Sequence, residues 1–297
     1  MRLFNFLSFV IISCGFSLWA QDIWTEDWNA ALQQAQREGK DLLINFTGSD
    51  WCVWCQRLDA EVFSTPSFRQ QAPQRFILVK LDFPRRLPQT PAIRNRNQEL
   101  AQRYGVEGYP TIFLADSKGR PYAKMGYQAG GPATFLRNME NNRQVKERDW
   151  SLLARAESSS GLDKAKLLDQ FFTRAEENGN AQFFMELVDQ IINLDAQNQA
   201  GLREKYQIIK TLEALKQGLN ENSNWNQVFG QLNGLEQRAK QANQVLLQQD
   251  ILVVQAAIYL NALNNQAEAK KILERVRSLN PTSTWGRHAS DMLRRMR

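Results

Sequence analysis

The chain contains 297 residues, of which 43% are hydrophobic and 23% are charged, and its formal net charge is +6. This length predicts two domains, because one hydrophobic core usually serves about 100 to 200 residues, and the composition excludes a multi-span membrane protein. The Lys and Arg residues are spread along the sequence without a run of five, which is typical of a solvated basic surface and argues against a nucleic-acid partner.

The first 20 residues have the pattern of an export signal. Arg2 supplies a positive start, residues 3–19 are mostly apolar, and Ala20 is a small residue at the expected cleavage point. A retained membrane anchor is the alternative, although about 17 apolar residues are marginal for a membrane span. The sequence around Cys14 also resembles a lipoprotein box, in which this cysteine would carry a lipid. All three interpretations place the mature protein in the periplasm or elsewhere outside the cytoplasm.

Residues 21–145 alternate between helical and strand patterns. The predicted elements, in chain order, are a helix over 22–38 with Thr25 as its N-cap, a strand over 41–47, a helix from 52, a strand over 76–83, a helix over 97–104, strands over 108–116 and 122–127, and a helix over 132–141. This order predicts one mixed sheet covered by helices on both faces.

Residues 146–297 show only helical patterns, with breaks at Asn, Gly and Pro that are typical of helical hairpins. The segment 256–281 has small residues at 257 and 269 and a proline at its end, and it resembles a tetratricopeptide repeat. We therefore predict a helical, tetratricopeptide-like second domain. A generic helical bundle is the alternative, because only a weak match to a second repeat occurs elsewhere in this half of the chain.

Cys52 and Cys55 form a Cys-x-x-Cys pair, and they are the only remaining thiols once Cys14 is cleaved off or lipidated. A zinc site needs four ligands, and the chain has a single histidine, His288, far along the sequence, so we predict no metal. A structural disulfide that closes so short a loop would stabilise the fold little. The third interpretation is a dithiol that cycles between its reduced and oxidised forms.

The position of the pair favours the redox interpretation, because it follows a predicted buried strand and opens a predicted helix. Cys52 lies at the helix tip, where the helix dipole and unpaired N–H groups lower a cysteine pKa from about 8.5 toward neutrality. Cys55 lies one turn further along on the inner face. We therefore expect Cys52 to attack a substrate disulfide and Cys55 to resolve the mixed disulfide.

Four groups of residues occur in the order and spacing of a known family. They are Asn-Phe at 45–46, Trp-Cys-Val-Trp-Cys at 51–55, Lys80, and Gly-Tyr-Pro-Thr at 108–111. Over residues 22–145 the chain thus resembles the thioredoxin superfamily, and it is similar to the exported bacterial branch that includes the C-terminal domain of DsbD.

The resemblance implies a role for each matching residue. Cys52 would be the nucleophile and Cys55 the resolving thiol, with no cofactor beyond their redox-active disulfide. Pro110 would be the cis-proline that faces the disulfide, although cis X-Pro bonds are uncommon in general. Tyr109 would offer backbone groups that pair with an extended segment of the substrate.

Three further matches carry weaker implications. Trp51 would shield the thiols from water, with ordinary core packing as the alternative. Trp54 would contact a partner, or its exposure has no function. Lys80 would stabilise a thiolate, or its side chain simply extends to solvent.

One position departs from the family pattern. Thioredoxins usually have a buried Asp where this chain has Asn45, and an Asn side chain cannot take up a proton at neutral pH. Either proton transfer is slower in this chain, or a nearby carboxylate such as Asp50 or Glu61 replaces the missing acceptor.

The sequence therefore predicts an exported thiol–disulfide oxidoreductase that acts on protein disulfides. The dipeptide Val53-Trp54 lacks the histidine that is common in strong oxidants, which favours a reductase or isomerase. Such a reductase needs an electron donor, which we expect in the membrane, and the helical half would hold substrates or a protein partner. The alternative is a redox-inactive or weakly active adaptor that binds proteins through its helical domain.

Overall fold

The computed structural model describes residues 22–296, so the predicted export signal and lipid site lie outside the described residues. The chain divides into two compact units. The first comprises the described residues up to Gly119 together with Lys124–Arg137, and the second comprises Arg120–Ala123 together with the chain from Asn138 onward.

The first half of the chain is an α/β domain. Its elements are β1 (Trp24–Thr25), α1 (Trp28–Glu38), β2 (Asp41–Thr47), α2 (Val53–Leu58), α3 (Pro66–Gln71), β3 (Phe76–Asp82), α4 (Pro91–Arg103), β4 (Thr111–Ala115), β5 (Pro121–Met125) and α5 (Gly131–Glu157). The predicted mixed sheet is confirmed. Its strand order is β1-β3-β2-β4-β5, and β2 runs parallel to β3 and antiparallel to β4. The boundary between the two units falls within α5, and the predicted domain boundary after residue 145 stays a prediction.

The central strand β2 is the most buried element of the sheet. All seven of its residues are buried, and it pairs with β3 on one side and β4 on the other. A strand covered on both faces carries a continuous apolar run instead of an alternating one, which explains the sequence Leu-Leu-Ile at 42–44. Aromatic rings extend this core, since Phe46 packs against Tyr104 and Phe113 at centroid distances of 5.7 and 5.9 Å.

Two helix starts differ from the sequence prediction. Thr25 does not cap α1, because it lies in the short edge strand β1, and the Asp27 carboxylate instead accepts the Ala30 N–H. Helix α4 begins at Pro91, six residues before the predicted start at 97. The sequence explains this earlier start, since Thr90 caps the helix and proline at the first position has no N–H to leave unpaired.

The second half of the chain is helical, as predicted. After α5 the helices are α6 (Gly161–Glu177), α7 (Glu186–Leu194), α8 (Leu202–Gly218), α9 (Trp225–Gln241), α10 (Val245–Asn261), α11 (Gln266–Leu279) and α12 (Thr284–Arg295). A hydrophobic cluster joins α10, α11 and α12. Across residues 22–296, no helix combines the length and apolar character needed to cross a membrane.

The segment 256–281 contains the end of α10 and all of α11, so the predicted helical hairpin is present. Ala269 of α11 is buried, whereas in α10 the buried alanine is Ala256 and Ala257 is exposed. The α10 sequence is apolar on several sides, so its periodicity does not single out one face. The tetratricopeptide-like assignment stays a prediction.

Charged side chains from α6, α8 and α10 lie close together in the helical unit. Lys205 Nζ lies 2.8 Å from Asp169 Oδ1, and Lys216 Nζ lies 3.2 Å from Asp250 Oδ2. Glu176, near the end of α6, is exposed as a residue, and its carboxyl group feels the charges of Lys205, Asp169 and Asp250. Desolvation raises the pKa of Glu176 to about 7, with Lys205 opposing the shift and Asp250 and Asp169 adding to it.

We expect Glu176→Gln to stabilise the helical unit in a pH-dependent way. A carboxyl whose pKa is higher in the folded state than in the unfolded state costs stability as the pH rises from about 4.5 to about 7. The variant should therefore have a higher Tm at pH 8 than the wild type and an equal Tm near pH 4. The gain should be modest, because solvent contact weakens the shift. Circular dichroism at both pH values measures it.

The matched control is Glu274→Gln, which changes an exposed glutamate inside α11 and should leave the Tm nearly constant at both pH values. Equal pH dependence of the two variants would contradict the assignment to Glu176.

Candidate active site

Cys52 and Cys55 form a disulfide just after the central strand. β2 ends at Thr47 and Cys52 is the N-cap of α2, with the two cysteine Cα atoms 5.2 Å apart. The Cys55 backbone N–H donates a hydrogen bond to Cys52 Sγ over 3.2 Å. Both residues are buried, with exposed fractions of 6% and 5%. The structure thus joins the two predicted thiols, and their roles as nucleophile and resolving thiol stay predictions.

Trp51 packs beside the turn that leads into the disulfide. Its indole N–H donates to the Phe83 carbonyl over 2.8 Å, and its ring meets the Tyr109 ring edge-to-face at a centroid distance of 5.6 Å. The Arg85 guanidinium carbon lies 3.7 Å from the centroid of the indole ring, a cation–π contact. A Cβ atom at Gly48 would lie 2.5 Å from the indole, so only glycine leaves room for it there.

Tyr109 and Pro110 precede β4, the antiparallel neighbour of the central strand. Their peptide bond is cis, as the resemblance implied. β4 begins at Thr111, so Pro110 lies immediately before the strand and not at its first position. The Tyr109 ring also packs against Phe83 at a centroid distance of 5.1 Å. The pairing of Tyr109 with a substrate segment stays a prediction.

Trp54 lies between the cysteines and is 52% exposed. Its ring packs against Tyr127 at a centroid distance of 5.1 Å, and the Arg57 guanidinium lies over both rings. The Glu61 carboxylate accepts hydrogen bonds from Arg57 Nε over 2.6 Å and from the Tyr127 hydroxyl over 2.8 Å. Trp54 is thus part of an ordered group of side chains. The sequence analysis missed Arg57 and Tyr127.

Asn45 lies in β2, opposite Lys80 of β3. The Asn45 residue is buried, and its Oδ1 atom accepts no hydrogen bond from any described residue. Lys80 is half-buried, and its predicted effect on a thiolate stays a prediction. The missing carboxylate of the family pattern therefore leaves an unsatisfied amide oxygen in the core of the sheet, a feature that normally costs stability.

Asp50 holds the loop that follows β3. Its carboxylate accepts the backbone N–H groups of Arg85, Arg86 and Leu87 over 3.0, 2.6 and 3.0 Å. These hydrogen bonds, with that of Arg85 contributing most, hold the pKa of Asp50 below its usual value. Hydrogen bonds from Arg57 and Tyr127 likewise lower the pKa of Glu61.

Both carboxylates are thus engaged in hydrogen bonds that make them weaker bases, and the replacement of the missing proton acceptor by either of them stays a prediction. The sequence offered both residues as alternatives. It carried no signal for the loop contact of Asp50, since this contact joins residues 35 positions apart.

The fold and the site together define a class of protein. The central strand of a mixed sheet leads into a helix capped by a Cys-x-x-Cys disulfide, and its antiparallel neighbour follows a cis-proline. These are the features of a thioredoxin-like domain with a redox centre.

The comparisons with known proteins agree with this class. Residues 23–117 match the family model described as thioredoxin-like. The chain is 31% identical over 127 residues to the disulfide bond reductase DsbH of Chlamydia pneumoniae, covering 43% of this chain and 76% of DsbH. It is 25% identical over 187 residues to the thioredoxin-related protein DsbJ of the same organism, covering 63% of this chain and 52% of DsbJ.

Among solved structures, the oxidised C-terminal domain of DsbD from Neisseria meningitidis aligns with 22% identity and a TM-score of 0.29, over 38% of this chain and 90% of that chain. The chain belongs to the thioredoxin-like family. With its Cys52–Cys55 disulfide, it is a thiol–disulfide oxidoreductase.

We expect Gly48→Ala to displace the Trp51 indole, because the added methyl group would overlap the ring. Overpacking of this kind costs about 1–3 kcal/mol in the free energy of unfolding. Urea denaturation measures the loss, and Trp fluorescence reports the displaced ring. Gly108→Ala is the matched control, since its Cβ would meet nothing within 4 Å. Equal stability of the two variants would contradict the steric role of Gly48.

We expect Asn45→Asp to accelerate disulfide exchange at pH 8, by as much as about 100-fold, the low end of what a positioned acid–base group contributes. Burial should raise the pKa of the new carboxyl above its unfolded value of about 3.9, so the variant should lose stability as the pH rises. Stopped-flow reduction of a small disulfide and urea denaturation, each at pH 5 and pH 8, test both effects.

Asn45→Thr has a similar volume and no group that takes up a proton at neutral pH, and it serves as the control. If Asn45→Asp exchanges disulfides at the wild-type rate and Glu61→Gln exchanges them more slowly, the prediction is wrong. Glu61 would then already supply the base.

Proposed function

We propose that this protein is an exported disulfide reductase, which transfers electrons from a Cys52/Cys55 dithiol to disulfides of envelope proteins. The observation that carries the proposal is the hydrogen bond from the Cys55 backbone N–H to Cys52 Sγ. In the reduced protein the same N–H would stabilise an ionised sulfur, because hydrogen bonds to the charged form lower a pKa. Cys52 would then be the thiolate that attacks.

The proposed reaction has two steps. The Cys52 thiolate attacks one sulfur of the substrate disulfide, a mixed disulfide forms, and the released substrate thiolate takes up a proton. Cys55 then loses its proton and attacks Cys52 Sγ, which releases the second substrate sulfur as a thiol. Two electrons and two protons reach the substrate, and the protein is left with the Cys52–Cys55 disulfide.

Two features support reduction over oxidation. The residues between the cysteines are Val53 and Trp54, and neither can stabilise a neighbouring thiolate by charge. DsbH, which is similar over 127 residues, carries the name disulfide bond reductase. Isomerisation would use the same first step, with a substrate thiol resolving the mixed disulfide in place of Cys55.

The proposal places the protein outside the cytoplasm because residues 1–20 have the pattern of an export signal. Each reaction cycle leaves the protein oxidised, so a partner must supply two electrons. A membrane protein that carries electrons from the cytoplasm is the partner that this location requires.

We expect Cys52→Ser and Cys55→Ser to abolish turnover of a protein disulfide substrate for different reasons. Cys52→Ser removes the attacking sulfur, so no mixed disulfide should form. Cys55→Ser leaves the first step intact, so mixed disulfides with the substrate should accumulate. Insulin reduction with dithiothreitol as electron source measures turnover, and non-reducing electrophoresis with mass spectrometry detects the trapped species.

Wild-type turnover in both serine variants would overturn the enzymatic proposal. The reduction potential tests direction separately. A value near about −270 mV would support a reductase, and a value near about −120 mV would make the protein an oxidant.

Protein binding by the helical unit is the second candidate function. It is favoured by large apolar side chains that the helical unit leaves exposed, including Leu246 at 49% and Leu263 at 39%. An adaptor of this kind would need no dithiol. Turnover at the background rate in the wild type and in both serine variants, together with partner capture by all three proteins, would favour it.

A further inference from the structure

The loop after β3 forms a surface beside the disulfide. We call this surface the cationic face and define it by Trp51, Arg85, Arg86 and Leu87. Arg85 lies over the indole of Trp51, the residue that directly precedes Cys52. Leu87 is 57% exposed and adds an apolar side chain to this surface.

Asp50 fixes the shape of this face. Three consecutive backbone N–H groups, those of Arg85, Arg86 and Leu87, point at its carboxylate. The loop is therefore attached to the residues that lead into the disulfide, and its side chains extend away from that attachment. Residues 85–87 are all exposed.

The charge of the face is positive. The Asp50 carboxylate accepts backbone N–H groups of this loop, and among the described residues neither the Arg85 nor the Arg86 guanidinium forms an ion pair. By contrast, Arg57 on the other side of the disulfide is paired with Glu61. Arg85 and Arg86 thus set two positive charges against the single negative charge of Asp50, and this leaves the face net positive next to an exposed leucine.

We propose that the cationic face selects substrates whose disulfide is flanked by acidic and apolar residues, an inference that rests on the proposed reductase function. A polypeptide segment of this kind would place its carboxylates against Arg85 and Arg86 and its apolar side chain against Leu87. Two exposed charge pairs are weak individually. Together they should give roughly a threefold to tenfold preference in kcat/KM, mostly through faster association and most strongly at low salt.

The experiment uses the full-length protein and two disulfide-cyclised peptides of equal length. Both contain one leucine beside a cysteine, one carries two flanking Glu residues, and the other carries two flanking Lys residues. The readout is the ratio of kcat/KM for the acidic and the basic peptide at 20 and 300 mM salt. The neutral probe 2-hydroxyethyl disulfide reports the intrinsic reactivity of each variant.

The wild type should prefer the acidic peptide at low salt. Arg86→Gln should reduce the ratio, and Arg86→Glu should reduce it further or reverse it. Arg37→Glu is the matched control, because it makes the same charge change in α1, before β2 begins. The seven residues of β2 separate that end of the strand from the disulfide end by about 20 Å. This control should keep the wild-type ratio.

The outcomes separate the two proposals. If the wild type reduces none of the three probes, the reductase function itself is wrong. If it reduces all three and the ratio is near one, or if Arg37→Glu changes the ratio as much as Arg86→Glu, the cationic face does not select substrates.

Discussion

The burial of β2 on both faces is the constraint on which the site depends. Its pairing with β3 and β4 fixes where the strand ends, and the chain must then turn at Gly48 and enter α2 with Cys52 as the cap. The close approach of Trp51 to Gly48 leaves this turn little freedom. The two sulfurs are therefore positioned by the most buried part of the sheet, and a redox centre needs precise placement because its two thiols must meet in a single geometry.

The polar side chains near the disulfide differ from the family pattern in what they bind. The family pattern would place a carboxylate within the sheet, but this chain has Asn45 there, with an unsatisfied oxygen. The nearby carboxylates accept hydrogen bonds from neighbouring residues instead. Asp50 holds a loop, and Glu61 joins Arg57 and Tyr127 beneath the exposed Trp54. The polar side chains near the sulfurs thus hold the local structure and set its surface charge, and none of them is placed as a clear proton acceptor.

The sequence was sufficient for the parts of the fold that arise from local patterns. Apolar runs located β2 and β3, and the spacing of the cysteines together with Pro110 identified the family. It was insufficient where distant residues decide the outcome. The contact between Asp50 and residues 85–87 depends on how two loops meet, and the short strand β1 exists only because β3 offers an edge to pair with.

The burial of both cysteines has a consequence for how electrons reach the protein. Because Cys52 and Cys55 have little exposed surface when oxidised, and thiol exchange requires access along the S–S axis, bulky or poorly fitting thiols meet a steric barrier. The rate at which this disulfide is reduced should therefore depend on how well the shape of the donor brings its sulfur to the small exposed area of the cysteines.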